Sequence, residues 1–238
     1  MATYSRPGAS YANFRPKVYC LGDSTTDGVG AANVAAYRTS MYLAARAAGT
    51  PIYWIGTQNN PGPDNQLTVD PWHEGIDGIT LELLTTNILQ RIGTCVYSPP
   101  DIVTLVCGTN SLDPAVGNKT PAQVAATLST TLDAIWAFAW KPTFQIIVYQ
   151  VFPRLDAVDT AVQAYNALIP SVVAAKSYSA NITVGNNYGA VAKDPSNYES
   201  SPDVSLVHFN DAGYNAMGTG GTGNMWSTLQ QVRLRAAG

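Results

Sequence analysis

The chain has 238 residues, of which 46% are hydrophobic and 12% are charged. This apolar content excludes intrinsic disorder, and 13 lysines and arginines in a chain of net charge −3 argue against a nucleic-acid partner. No apolar run approaches the roughly 20 residues of a membrane span, so we expect no membrane partner. The length predicts a single domain over residues 1–238, and the weak charge favours a neutral substrate.

The first half of the chain alternates short apolar runs with one helical segment. Residues 17–22 predict a buried strand, followed by a polar loop over residues 23–30. Residues 35–48 are rich in alanine and are followed by glycine, which predicts a helix. Residues 51–57 predict a second strand, and residues 58–78 predict a long loop of the kind that often carries function.

The second half repeats the alternation, with clear helix-start signals. Thr80 predicts a helix cap, and Thr120 followed by proline predicts another. The predicted elements are a helix over 81–91, a strand over 101–107, a helix over 120–140, a strand over 144–151, a helix from 156 or 159 to 178, a strand over 182–184, and a final helical region from Asn210 or Asp211 that is interrupted at 218–223.

The fold class follows from the strands, which are apolar along their whole length. Such strands are buried on both faces, as in parallel sheets. Their alternation with helices predicts an α/β protein, a three-layer α/β/α sandwich around a parallel sheet of about five strands. Ligands of these sheets bind at the carboxyl ends of the strands. The residues predicted there are Asp23 and Ser24, residues 74–78, Thr109 and Asn110, Arg154, and the segment around His208.

Candidate catalytic groups occur at this predicted edge. Histidine is the usual general base near neutral pH, and of the two histidines we favour His208 over His73 because it precedes a predicted helix cap. Ser24 follows the first strand and becomes a nucleophile if a base takes its proton. A structural role for either histidine and a capping role for Ser24 are the alternatives.

Two further residues are candidates for stabilising an oxyanion. Asn110 has a side-chain amide that can donate a hydrogen bond, and Gly78 can donate its backbone N–H, although both residue types are also common in turns. A nucleophile, a base and several donors at one sheet edge would suit acyl transfer. The sequence contains no Gly-x-Ser-x-Gly, which excludes the nucleophile elbow of α/β-hydrolases.

Four segments occur in this order along the chain: Gly22-Asp-Ser-Thr-Thr-Asp-Gly28, Gly78, Gly108-Thr-Asn110 and His208-Phe-Asn-Asp-Ala-Gly-Tyr214. Over about residues 17–218 they resemble the four motif blocks of the SGNH (GDSL) hydrolase family. The resemblance implies an esterase or lipase with a flavodoxin-like fold and no metal or other cofactor. It also implies Ser24 as nucleophile, His208 as base, and an oxyanion hole formed by the N–H groups of Ser24 and Gly78 and the Asn110 side chain.

The chain departs from the family pattern at two positions. The third block usually reads Gly-x-Asn-Asp, and here Ser111 follows Asn110. The family usually has an acid three residues before the base, where this chain has Ser205. We favour Asp203 as the residue that orients His208, and a Ser–His dyad oriented by a backbone carbonyl is the alternative.

The segment Trp72-His-Glu-Gly75 resembles that of carbohydrate-acetyl esterases within the family. Trp72 would stack on a sugar ring and Glu74 would accept hydrogen bonds from sugar hydroxyls, although Trp72 could equally pin the long loop. No apolar lid segment is present, so we expect short acyl, first of all acetyl, esters of carbohydrates or small alcohols. The alternatives are an arylesterase, thioesterase or lipase-like esterase, and a catalytically weak carbohydrate-binding relative.

Other site types find little support. The glycine pairs and clusters at 28–30 and 218–223 lack the rest of a nucleotide-binding motif. Three cysteines are an odd number for a disulfide framework, and two distant histidines do not suggest a metal site. Residues 1–10 lack the apolar core of a signal peptide. The polar, weakly charged surface mildly favours an extracellular enzyme, and the oligomeric state is not predicted.

Overall fold

The computed structural model describes residues 14–32, 35–59, 72–93, 98–200 and 206–237. The strands in these ranges are β1 (Lys17–Gly22), β2 (Tyr53–Ile55), β3 (Gln58–Asn59), β4 (Trp72–Gly75), β5 (Ile102–Val106), β6 (Gln145–Tyr149) and β7 (Ile182–Gly185). The α-helices are α1 (Ser24–Asp27), α2 (Tyr37–Ala47), α3 (Leu81–Gly93), α4 (Thr109–Leu112), α5 (Pro121–Trp136), α6 (Asp159–Ala174), α7 (Asp211–Asn215) and α8 (Met225–Ala236), with a π-helical turn at Ala216–Gly220.

The five predicted strands pair in parallel in the order β2-β1-β5-β6-β7. Counted in chain order, these strands follow the flavodoxin-like order 2-1-3-4-5, in which the order of strand addition reverses between β1 and the third of them, β5. The chain therefore places the residues after β1 and after β5 side by side. This is the switch point where doubly wound sheets bind ligands.

The sheet is covered on both faces, as its apolar strands require. Along β1, Val18 and Cys20 pack into the core that includes residues of α2 and α8. Tyr19 and Leu21 face the other way, into the core formed with α3, α5 and α6. The alternation arises because successive side chains of a strand point to opposite faces. The predicted three-layer α/β/α sandwich is confirmed.

The cap predictions are confirmed for two long helices. The Thr80 hydroxyl accepts a hydrogen bond from the Leu83 N–H at 3.3 Å, at the start of α3. Thr120 accepts from the Gln123 N–H at the start of α5. Helix α5 ends at Trp136 rather than near residue 140, because the chain closes there in tighter turns.

The predicted loops hold structure that the sequence did not reveal. Helix α1 lies within the expected loop over residues 23–30, and β3 and β4 lie within the expected loop over residues 58–78. β4 pairs in parallel with the carboxyl end of β1, and β3 pairs with β4 in the antiparallel direction. Such short strands lack a hydrophobic period of their own and form because a neighbouring backbone offers hydrogen bonds.

In the part of the chain that the structure describes, none of the helices combines the length and apolar character needed to cross a bilayer.

Candidate active site

Helix α1 presents Ser24 at the carboxyl end of β1. Asp23 caps this helix by accepting a hydrogen bond from the Thr25 N–H at 3.1 Å, and burial raises the pKa of Asp23 to about 6. The helix lies directly on β4, since a Cβ at Gly75 would collide with the backbone nitrogen of Asp27. Ser24 is consequently buried, with 2% of its surface exposed.

The Nε2 atom of His208 lies 3.1 Å from the Oγ atom of Ser24. Two neighbours of His208 hold this segment in place. The Phe209 ring is buried against Tyr198, with centroids 4.7 Å apart, and Asn210 caps α7. Gly30 allows the close approach, because its φ is +90° and a Cβ there would lie 2.7 Å from the Phe209 carbonyl oxygen.

Burial and nearby charges determine the protonation of His208. Burial lowers the pKa of His208 below its ordinary value, whereas the carboxylates of Asp77 and Glu199 raise it and Arg154 lowers it. The lowered pKa favours the neutral imidazole, which can accept a proton from Ser24. Its Nδ1 is buried and has no hydrogen-bond partner among the described residues. Asp203, predicted to orient His208, lies outside those residues.

Asn110 lies in α4, directly after β5, and its side chain contacts the loop that carries Gly78. The Asn110 amide donates a hydrogen bond to the Ile79 carbonyl at 3.0 Å, which leaves its second N–H for a ligand. Gly78 is exposed. Within the described ranges, the N–H groups of Ser24 and Gly78 donate to no other group. Three donors are therefore available at this edge.

Helix α4 is held from two sides by residues whose roles the sequence did not suggest. The Ser111 hydroxyl accepts from the Leu81 N–H at 2.9 Å and donates to Glu82 at 2.8 Å. On the other side, buried Arg154 donates to Thr109 at 3.1 Å and to Asp113 at 2.8 Å. The only sequence signal for Arg154 is its place after β6, and Glu82 carries none.

His73, the second candidate base, lies in the interior. Its Nδ1 accepts a hydrogen bond from the Gly75 N–H at 3.0 Å, and its Nε2 lies 3.8 Å from the Asp27 carboxylate. Burial and the neighbouring Arg38 lower the pKa of His73 to about 3. His73 is therefore neutral at physiological pH and supports β4. This is a structural role, the alternative to a role as the catalytic base.

The placement of Glu74 does not fit the expected contact with substrate. Its side chain is fully buried, accepts hydrogen bonds from the backbone N–H and the hydroxyl of Thr57, and forms an ion pair with Arg91. Glu74 lies where β4 pairs with Leu21 of β1, and Thr57 and Arg91 bind its carboxylate in the interior, which the sequence motif alone does not show. Trp72, two residues earlier, is 41% exposed and accessible to a ligand.

The described ranges contain no group of three His, Cys, Asp or Glu side chains that could hold a metal ion. Cys20 and Cys107 are buried and form no disulfide among the described residues, and Cys95 lies outside those residues.

Comparison with known proteins gives a consistent family. The model of the GDSL-like lipase/acylhydrolase family matches residues 20–216. Among solved structures, a family 3 carbohydrate esterase of Clostridium thermocellum is 27% identical, with a TM-score of 0.74, over 94% of this chain and 100% of that chain. A comparison with curated proteins gives no match.

Two further structures share the fold at lower identity. One is an acetyl esterase mutant solved with an acetate ion, and the other is a family 3 carbohydrate esterase from Talaromyces cellulolyticus. Each is 22% identical, with a TM-score of 0.72, over 92% of this chain and 98% of the other chain. The family match spans most of the chain, including Ser24, Gly78, Asn110 and His208, so this protein belongs to the GDSL-like lipase/acylhydrolase family and is a carboxylic ester hydrolase.

Proposed function

We propose that this chain is a serine esterase that removes short acyl groups, first of all acetyl, from carbohydrates or small alcohols through an acyl-enzyme on Ser24. The observation that carries the proposal is the 3.1 Å contact between His208 Nε2 and Ser24 Oγ, which joins a nucleophile to a general base.

The reaction has two similar halves. The Ser24 oxygen attacks the ester carbonyl while His208 Nε2 takes the hydroxyl proton. The bond from the carbonyl carbon to the alcohol oxygen then breaks, and His208 returns the proton to the leaving alcohol. Water attacks the acyl-enzyme in the same way, His208 accepts a proton from it, and the carboxylic acid departs as Ser24 regains its proton.

The negative charge of each tetrahedral intermediate is stabilised by three hydrogen-bond donors. These are the N–H groups of Ser24 and Gly78 and the second amide N–H of Asn110. The Asn110 contact with the Ile79 carbonyl supports this role, because it holds the side chain beside the Gly78 loop before substrate binds. Donors held in place in advance need no reorganisation during the reaction.

His208 needs an acceptor for its second ring proton. When Nε2 accepts from Ser24, Nδ1 carries a hydrogen, and a buried N–H without an acceptor is costly. We keep Asp203 as the residue that accepts it, with a backbone carbonyl as the alternative. Either would hold the imidazole in the orientation that the transfer requires.

The exposed ring of Trp72 supports a carbohydrate substrate, because an aromatic face can pack against a sugar ring. The 27% identical family 3 carbohydrate esterase supports the same substrate class. Glu74 takes no part in this binding surface.

The first experiment compares hydrolysis of p-nitrophenyl esters from acetyl to decanoyl by the wild type and by Ser24→Ala. We expect acetate to be cleaved fastest and the variant to lose at least about 10⁴-fold in kcat. Ser171→Ala, an exposed serine on α6, is the matched control and should keep the wild-type rate. Equal rates for the wild type and Ser24→Ala would contradict the serine mechanism.

A second pair of variants tests the substrate class. Trp72→Ala should raise KM for an acetylated sugar while leaving p-nitrophenyl acetate hydrolysis nearly unchanged. Trp140→Ala removes another exposed tryptophan, which lies elsewhere and is 50% exposed, and should change neither. Asp203→Ala is assayed with the same substrates. A large loss in kcat would indicate a Ser–His–Asp triad, and a small loss would indicate a Ser–His dyad.

A further inference from the structure

A recess of about 300 Å³ opens at the amino edge of the sheet, opposite to Ser24. The lining residues show this position. Arg15 precedes β1, residues 51–53 lead into β2, and the other two come from the second half of α2. It is lined by Arg15, Tyr42, Arg46, Pro51, Ile52 and Tyr53. A volume at the lower end of the range for ligand sites suits a single ring.

The lining of this recess combines two cations with two aromatic rings. The Arg15 guanidinium donates to the Tyr53 hydroxyl at 3.2 Å, and the Arg46 guanidinium carbon lies 5.9 Å from the centroid of the Tyr42 ring. Neither arginine has an ion-pair partner among the described residues, and no carboxylate of those residues lines the recess. Both guanidinium groups are therefore available to an anion.

The surrounding edge adds positive charge, although the chain as a whole carries −3. Lys17 and Lys141 lie beside Trp140, with their ammonium groups 5.9 and 5.0 Å from its ring centroid. Arg233 and Arg235 lie in the last turn of α8. Asp101, which pairs with Lys141, offsets only part of this charge. A cluster with a net positive charge raises the local concentration of anionic ligands.

We propose that this recess binds a sugar carboxylate, such as one uronic acid unit of an acidic saccharide. Guanidinium groups pair with carboxylates through two parallel hydrogen bonds, and the exposed ring of Tyr53 can pack against the sugar. The choice of a sugar acid rests on the proposed carbohydrate substrate, whereas the anion site itself does not. The recess would hold an acidic saccharide while the opposite edge of the sheet hydrolyses esters.

The test is a titration of the ¹⁵N-labelled full chain with D-glucuronate, D-glucose and inorganic phosphate, followed by NMR. Glucuronate should shift the amide signals of Ile52 and Tyr53, and it should bind at least about tenfold more tightly than glucose or phosphate. Phosphate binding as tight as glucuronate would overturn the sugar-acid assignment. An absence of shifts with glucuronate would overturn the site.

Charge-removing variants locate the binding. Arg15→Gln and Arg46→Gln should each weaken glucuronate binding by about tenfold or more. Arg235→Gln removes a charge from the same edge but outside the recess, and it should bind nearly as the wild type does. An equal loss in Arg235→Gln would indicate unspecific attraction and contradict the proposal.

Hydrolysis of p-nitrophenyl acetate separates this inference from the proposed function. All three variants should hydrolyse it at the wild-type rate, since Ser24 lies at the opposite edge of the sheet. A wild type that binds glucuronate but fails to hydrolyse the ester would contradict the proposed function and leave the recess supported.

Discussion

At the scale of single residues, the charges around His208 set the pH range of the proposed reaction. Burial lowers the pKa of His208 below 6.5, and Asp77 and Glu199 partly reverse this shift. The proposed base must be neutral to accept the Ser24 proton. Activity should therefore be present above the pKa of His208 and fall as the pH decreases through it.

We expect Asp77→Asn to move the acidic limb of the kcat/KM profile to lower pH. The substitution removes a carboxylate that raises the pKa of His208, so the imidazole stays neutral to lower pH. The profile is measured with p-nitrophenyl acetate. Asp133→Asn, which removes a carboxylate near the end of α5, should leave the limb in place. An acidic limb that moves to higher pH in Asp77→Asn would contradict this account.

At the scale of elements, the short helix α4 depends on its neighbours. Four residues make too few internal hydrogen bonds for a stable helix. Arg154 contacts residues at both ends of α4, and Ser111 ties its middle to α3. Where the resembled family has an acid after the asparagine, this chain has Ser111, and Glu82 brings the carboxylate from α3.

Arg154→Met should lower kcat by up to about 10²-fold with little change in KM, because Asn110 loses its fixed position as a donor. Arg154→Lys keeps the charge and should recover part of the rate. Initial rates with p-nitrophenyl acetate are compared with thermal unfolding of each variant. A variant that unfolds at a lower temperature but keeps the wild-type kcat would show that Arg154 contributes only to stability.

At the scale of the whole molecule, two apolar layers hold the sheet that aligns Ser24 with His208. Leu128 is fully buried in the layer formed with α3, α5 and α6. Leu128→Ala should lower the free energy of unfolding by about 2–5 kcal/mol, because it leaves a cavity. Leu83→Ala, at a position 57% exposed, should change it by less than about 0.5 kcal/mol. Urea denaturation measures both, and equal effects would contradict the assigned core.

The sequence by itself determined the fold class and most of the elements. Continuous apolar strands and capped helices are local patterns, and they predicted β1, β2, β5, β6, β7 and the long helices in the correct order. The order of motifs along the chain also predicted that Ser24, Asn110 and His208 belong to one site. The element predictions succeed because hydrophobic periodicity and capping act over a few neighbouring residues, whereas the catalytic roles of the site residues stay predictions.

Only the tertiary structure decided what depends on distant neighbours. It brings His208 to Ser24 across 184 residues, turns Glu74 into the interior, and leaves Trp72 exposed. It also forms β4 from a segment without strand periodicity, because the carboxyl half of β1 offers unpaired backbone groups. Burial and pairing are properties of the packed chain, so no local pattern could reveal them.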